Sequence, residues 1–185
     1  LKAQKFEAYT QANKMDFFVK NEMKDDADTV VFQSNLKVEG QTIPLGIITD
    51  NTIYTIIRVQ IGSQLLKDEN KLALLEYLNQ LNRSYKVFKY VAAEDGSIFL
   101  DACLPSTNES FDAEIVRVIL DVIVDHLNNE YKNIMKQAGN DVSSAIKNGF
   151  PKGRPFLIAE ASLKEKMTML EELCIPSYFF IANFF

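Results

Sequence analysis

At 185 residues, with 47% apolar and 24% charged content, the chain has the composition of a globular protein with an adequate core, sized for one domain or one domain with an appendage. A net charge of −5 and the lack of any Lys/Arg cluster longer than a residue or two disfavour a nucleic-acid binder that neutralises phosphates over a broad basic face. No run of about 18 apolar residues offers a membrane span, and LKAQKFEAYT at the start lacks the apolar core of a signal peptide, so a cytoplasmic location is expected. Cys103 and Cys174 lie far apart in apolar surroundings and are expected as buried thiols in a reducing compartment.

Residues 2 to 22 are rich in helix formers, and Phe6, Ala8, Tyr9, Ala12, Met15 and Val19 make an approximate stripe that predicts a first helix. The KDDAD run, Lys24 to Asp28, lacks the glycine turn and closing Glu of a calcium loop and reads as a solvated connection. From Thr29 the period changes to two, with Val30, Phe32, Leu36 and Val38 facing one way. Turns at Glu39-Gly40 and Asp50-Asn51 divide Thr29 to Ile61 into a three-stranded antiparallel meander. In its third strand Ile53, Thr55, Ile57, Val59 and Ile61 share one face, while Tyr54, Ile56, Arg58 and Gln60 share the other. That second face is half apolar, which invites a covering partner.

Lys67 to Leu81 predicts a second helix, with Asp68 as N-cap and Leu74, Leu75, Leu78 and Leu81 on one arc. Asn82 falls inside that arc and Asn79 at its edge, with Arg83 next. An asparagine there is read as the residue that stops the helix in a left-handed conformation. Tyr85 to Val91 and Ile98 to Leu104 are strands joined across Asp95-Gly96, a pair that tolerates positive φ at both central positions.

The third helix opens at Asp112, a capping residue, with Phe111 placed to staple against Val116, and extends to about Lys136. Its apolar arc, which includes Ile115, Val118, Ile119, Val122 and Ile123, is wider than one sheet can bury, so a second packing partner is expected. Beyond Met135 the chain shifts to a breaker-rich linker. A capping box at Ser162 and Glu165 then predicts a short helix, and the apolar run IPSYFFIANFF, Ile175 to Phe185, reads as a docking segment or a sequence peculiarity. The expected domains are 1–137 and an extension, 138–185.

Little catalytic chemistry is legible. His126 is the sole histidine and falls in the apolar arc of the third helix, where a packed, hydrogen-bonded imidazole is the expectation. Ser143 and Ser144 lack a nucleophile-elbow context, and the glycines assemble no phosphate-cradling loop. Neither a cofactor nor a metal is expected, since Cys and His have no ligand spacing.

The runs SNLKVEGQTIPLGIITDNTIYTIIRVQIG, DENKLALLEYLNQLNRSYKVFKY, EDGSIFLDACLP and FDAEIVRVILDVIVDHL resemble the YbjN-like proteins, labelled sensory transduction regulators, over roughly Thr29 to Lys136. The element order, helix, three strands, helix, two strands, helix, resembles the type III secretion chaperone-like fold, an α+β architecture with an antiparallel sheet. This resemblance implies a non-enzymatic scaffold, often dimeric, whose secretion relatives bind extended protein segments along apolar grooves. It attaches no chemistry to Asn79, Asn82, Lys89, Gly96 and Asp101, which match recurrent positions.

The functional expectation is therefore a chaperone-like or regulatory protein-binding module. It forms a homodimer and takes a client or regulatory protein through the sheet (Tyr54, Ile56, Arg58) and the third helix (Ile119, Val122, Ile123, His126). The alternative is a small-ligand sensor or an enzyme with a pocket lined by Asn79, Asn82, Arg83, Tyr85 and Lys89.

Overall fold

A computed structural model describes residues 1–139. Its elements are α1 (Lys2–Ala12), β1 (Val19–Glu22), β2 (Val30–Val38), β3 (Gln41–Thr49), β4 (Tyr54–Gly62), α2 (Lys71–Ser84), β5 (Lys89–Ala92), β6 (Ile98–Pro105) and α3 (Ala113–Gln137). The fold is α+β, with an antiparallel six-stranded sheet in the order β1-β2-β3-β4-β6-β5. The linker, capping box and apolar run expected beyond Gly139, and Cys174 with them, lie outside the described residues.

The meander and the third helix follow the alternation and the apolar arc read from the sequence. In β4 every second residue is buried, and Ile57 and Val59 are wholly so, as a strand with one face on a core requires. The core gathers Phe32, Leu45, Ile47, Ile57, Val59, Ile98 and Leu100 from the sheet. Phe6 of α1, Leu74 and Leu78 of α2, and Val116, Ile123 and Leu127 of α3 pack on them. Each such fully buried aliphatic side chain contributes roughly 1.5–3 kcal/mol relative to exposure. All three described helices thus pack on the same sheet face.

The first helix is shorter than its stripe implied. It ends at Ala12, where Lys14 takes a φ of 54° and the Asn13 side chain donates to the Tyr9 carbonyl at 2.9 Å. The chain then turns back so that Phe18 packs edge-on against Phe6, and Val19–Glu22 adds a sixth strand beside β2. Pairing with β2 outweighed helix propensity, which is a weak preference when tertiary partners compete. Lys2 is buried at 1% exposure. Its ammonium donates to the carbonyls of Thr52 (2.8 Å) and Tyr54, 3.8 Å from the Asp50 carboxylate. Burial lowers the Lys2 pKa, and Asp50 opposes that shift.

The second helix starts later than expected, at Lys71, with Asn70 rather than Asp68 as N-cap. Asn70 turns its side chain away from its own helix: the amide donates to Leu65 O (2.8 Å) and to Ala138 O at the end of α3 (3.0 Å). This contact sets the start of α2 beside the end of α3. The β5–β6 turn also differs from the expectation. Only Gly96 has positive φ, at 79°; Gly96 N bonds Ala93 O, Ala93 N bonds Ser97 O, and the Asp95 carboxylate accepts from Ser97 N. The result is a longer loop built on a type I turn with glycine in the left-handed position.

Gly96 is doubly constrained, because a Cβ there would sit 2.6 Å from Leu66 O while Leu66 N donates to Gly96 O at 2.9 Å. Gly96→Ala is expected to lower the unfolding free energy by about 1–3 kcal/mol, combining left-handed strain with the forced shift of the Leu66 loop. Urea denaturation followed by circular dichroism measures it, and an unchanged midpoint contradicts this account.

Candidate functional site

Asn82 does not stop α2. The helix continues to Ser84 and is capped by an extended Tyr85 (φ −114°, ψ 133°), and Asn82 has no positive φ. Its amide instead reaches the backbone of the neighbouring strand: Oδ1 accepts from Tyr90 N at 2.7 Å and Nδ2 donates to Tyr90 O at 3.1 Å. Tyr90 lies on β5, the outermost strand, paired on its other side with Leu100 of β6. The side chain thus satisfies the edge groups that would otherwise invite another strand. In return Lys89, the first residue of β5, donates to the Asn82 carbonyl at 2.6 Å and to that of Tyr85, covering the acceptors left open at the helix end.

Tyr90 also carries the junction inward. Its hydroxyl lies 2.7 Å from His126 Nε2, and the imidazole, 3% exposed, packs between Tyr85 (ring centroids 4.3 Å) and Phe88 (4.7 Å). The packed, hydrogen-bonded histidine read from the sequence is therefore present, but as core and not as part of a contact surface. Ile123 is likewise fully buried. Among the described residues His126 Nδ1 has no partner, and burial lowers the imidazole pKa against the opposing pull of Glu130 and Asp125. Burial, aided by Glu130, raises the Tyr90 hydroxyl out of its ordinary range. One turn on, Tyr77 of α2 donates to Glu130 at 2.6 Å, and burial with this bond pushes the Tyr77 pKa up to about 12.

The pocket expected around Asn79, Asn82, Arg83, Tyr85 and Lys89 is not assembled as such. Asn82, Tyr85 and Lys89 are engaged within the junction, whereas Asn79 and Arg83 are exposed on an open depression of ≈580 Å³ with Glu76, Tyr77 and Gln80. The residues expected as one interaction surface also divide. Ile119 and Val122 lie on the outer flank of α3, while Tyr54, Ile56 and Arg58 lie on the opposite face of the sheet, which no described helix covers.

The α3 flank follows from unequal helix lengths. Contacts Asn70–Ala138, Tyr77–Glu130 and Tyr85–His126 run α2 antiparallel to α3, but α2 has 14 residues and α3 has 25. Beyond His126, α2 is exhausted. Ile115, Val118 and Val122 are left 51%, 46% and 42% exposed, beside a groove of ≈400 Å³ lined by Leu104, Pro105, Phe111 and Ile119. The excess arc was legible; which of its residues stay exposed required the end point of α2.

On the uncovered sheet face, Arg58 makes a two-pronged ion pair across the strands with Asp101, Nε to Oδ1 at 2.9 Å and Nη2 to Oδ2 at 2.6 Å. The guanidinium lies 5.0 Å over the Phe99 ring. Partial burial opposes the Arg58 charge, and the Asp101 contact more than reverses this, so its pKa is raised. Cys103 is exposed on this same face, a correction to the buried thiol expected from its apolar neighbours, because alternation along β6 turns it away from the core. Among the described residues no cluster of three or more His, Cys, Asp or Glu is placed to hold a metal ion.

Two measurements check the junction. Asn82→Leu and Asn82→Gly are both expected to cost about 1–3 kcal/mol, since each strips two bonds from Tyr90, with Gly adding a helix-propensity loss. Hydrogen exchange at the Tyr90 amide should accelerate in both, and unchanged protection would refute the clamp. For His126, a native pKa below the unfolded value of 6.5 means that stability is complete above that value and declines as pH falls through it. Between about pH 7.5 and 5, wild type should lose more unfolding free energy than His126→Phe; equal slopes would contradict this.

No family model matches the chain, and no curated protein matches it.

Proposed function

We propose that the protein is a binding module, not an enzyme, which holds an apolar segment of another protein along the outer flank of α3. The observation that carries this reading is the run Ile115, Val118 and Val122, exposed together beside the groove at the end of β6. Contiguous exposed apolar side chains of this kind favour a partner, because leaving them in water costs about 25 cal/mol per Å². An amphipathic helix or an extended peptide with anchors at regular spacing suits such a groove.

The resemblance to YbjN-like proteins and to the type III secretion chaperone-like fold supports the same reading, since secretion relatives bind protein segments along apolar grooves. It also supports a homodimer, with twice the chain mass in light scattering. A small-ligand role has less support: the amide of Asn82 and the ammonium of Lys89 are occupied within the fold.

Selection of a displayed random-peptide library on the full chain tests the binding role. Enriched peptides should carry apolar anchors and lose affinity about tenfold or more on Val118→Glu and Val122→Glu. Both positions are exposed, so thermal stability should be retained. Peptides that bind both variants as tightly as wild type, or a selection that enriches none, would overturn the assignment of this flank.

A further inference from the structure

The face of the sheet opposite the helices has a composition of its own. Register and alternation place Ile48, Ile56, Val91 and Phe99 on it, none of them in the helix-covered core, with the Arg58–Asp101 pair among them. An ion pair at 23% and 19% side-chain exposure amid apolar neighbours is costly to bury against an apolar partner and weak as a surface contact. It suits a partner that presents a base and an acid in the same arrangement. Arg58 Nη1 has no partner among the described residues, because the bonds to Asp101 use Nε and Nη2.

We propose that this face is the homodimer contact, with a two-fold axis running along the strands between β4 and β6. The inference rests on the dimeric reading above and names its surface. Rotation about that axis carries Arg58 onto Asp101, so each Arg58 Nη1 meets the partner's Asp101 and four charges close into a ring. Any closed two-fold contact is self-complementary, and a cross-strand Arg/Asp pair satisfies that condition without further residues. Ile48, Ile56, Val91 and Phe99 form the apolar surround, and two sheets meeting with aligned strands is a common packing. The α3 flank, on the other side of the sheet, stays open for the partner segment.

The test uses a charge swap, Arg58→Asp with Asp101→Arg, which keeps the pair within each chain while reversing its sense. Wild type and the swap should each be dimeric by light scattering and native in circular dichroism. When they are mixed and equilibrated, each Arg58 of wild type would face the introduced arginine, and each Asp101 the introduced aspartate. Native mass spectrometry should then show mixed dimers at least about tenfold below the statistical share. Ile56→Lys, run in parallel and checked for native circular dichroism, should be monomeric. Free mixing, or a dimeric Ile56→Lys, overturns the assignment of this face and leaves the dimer itself standing. A monomeric wild type overturns both.

Discussion

A four-residue strand at the rim of a sheet has hydrogen bonds on one side only, and β5 keeps its place because Asn82 supplies the other side. The bond from Oδ1 to Tyr90 N and the bond from Nδ2 to Tyr90 O make the end of α2 part of the sheet. Lys89 returns the contact by covering the helix carbonyls. Tyr90 then seats His126, and through it α3, so one strand position joins two helices to the sheet. Because the polar groups involved are part-buried, losing one partner leaves the other unsatisfied, which makes the junction cooperative.

That junction sets where α2 ends, and the end of α2 sets what α3 exposes. A 14-residue helix anchored at Asn70 and terminated at Tyr85 shields one flank of the C-terminal half of a 25-residue neighbour; α1 meets the N-terminal half through Tyr9 and Glu114, and the flank at Ile115, Val118 and Val122 stays open. The apolar flank at Ile115, Val118 and Val122 is therefore a consequence of helix length and register. Packing every described helix on one side of the sheet has a second consequence, a face covered by none of them that carries Arg58 and Asp101. The first surface is built by α3 and the end of β6, the second by the middle of β4 and β6.

Most of the strands and helices were legible from residue spacing. Period-two runs located β2 to β4, and the buried and half-buried residues of β4 alternate as its sequence does. Errors arose where a local preference met a distant partner. The stripe over residues 2 to 22 satisfied helical spacing, yet Val19–Glu22 pairs with β2. Asn82 has the side chain of a helix terminator, but a backbone eight residues away offered it two hydrogen bonds. Asp95-Gly96 marked the hairpin correctly and its turn type incorrectly, since the carboxylate of Asp95 was taken up by Ser97.

The sequence by itself determined the α+β class, the alternation that assigns residues to sheet faces, the cap at Asp112 and the burial of the one histidine. These are consequences of backbone period and of transfer free energy, which act over a few residues. Tertiary structure decided the sixth strand, the partners of Asn82 and Lys89, the pairing of Arg58 with Asp101, and the division of the expected interaction surface into two. Each of those depends on groups far apart in the chain meeting at hydrogen-bonding distance. No local pattern encodes that distance, because it is set by where helices of different length come to rest on the sheet.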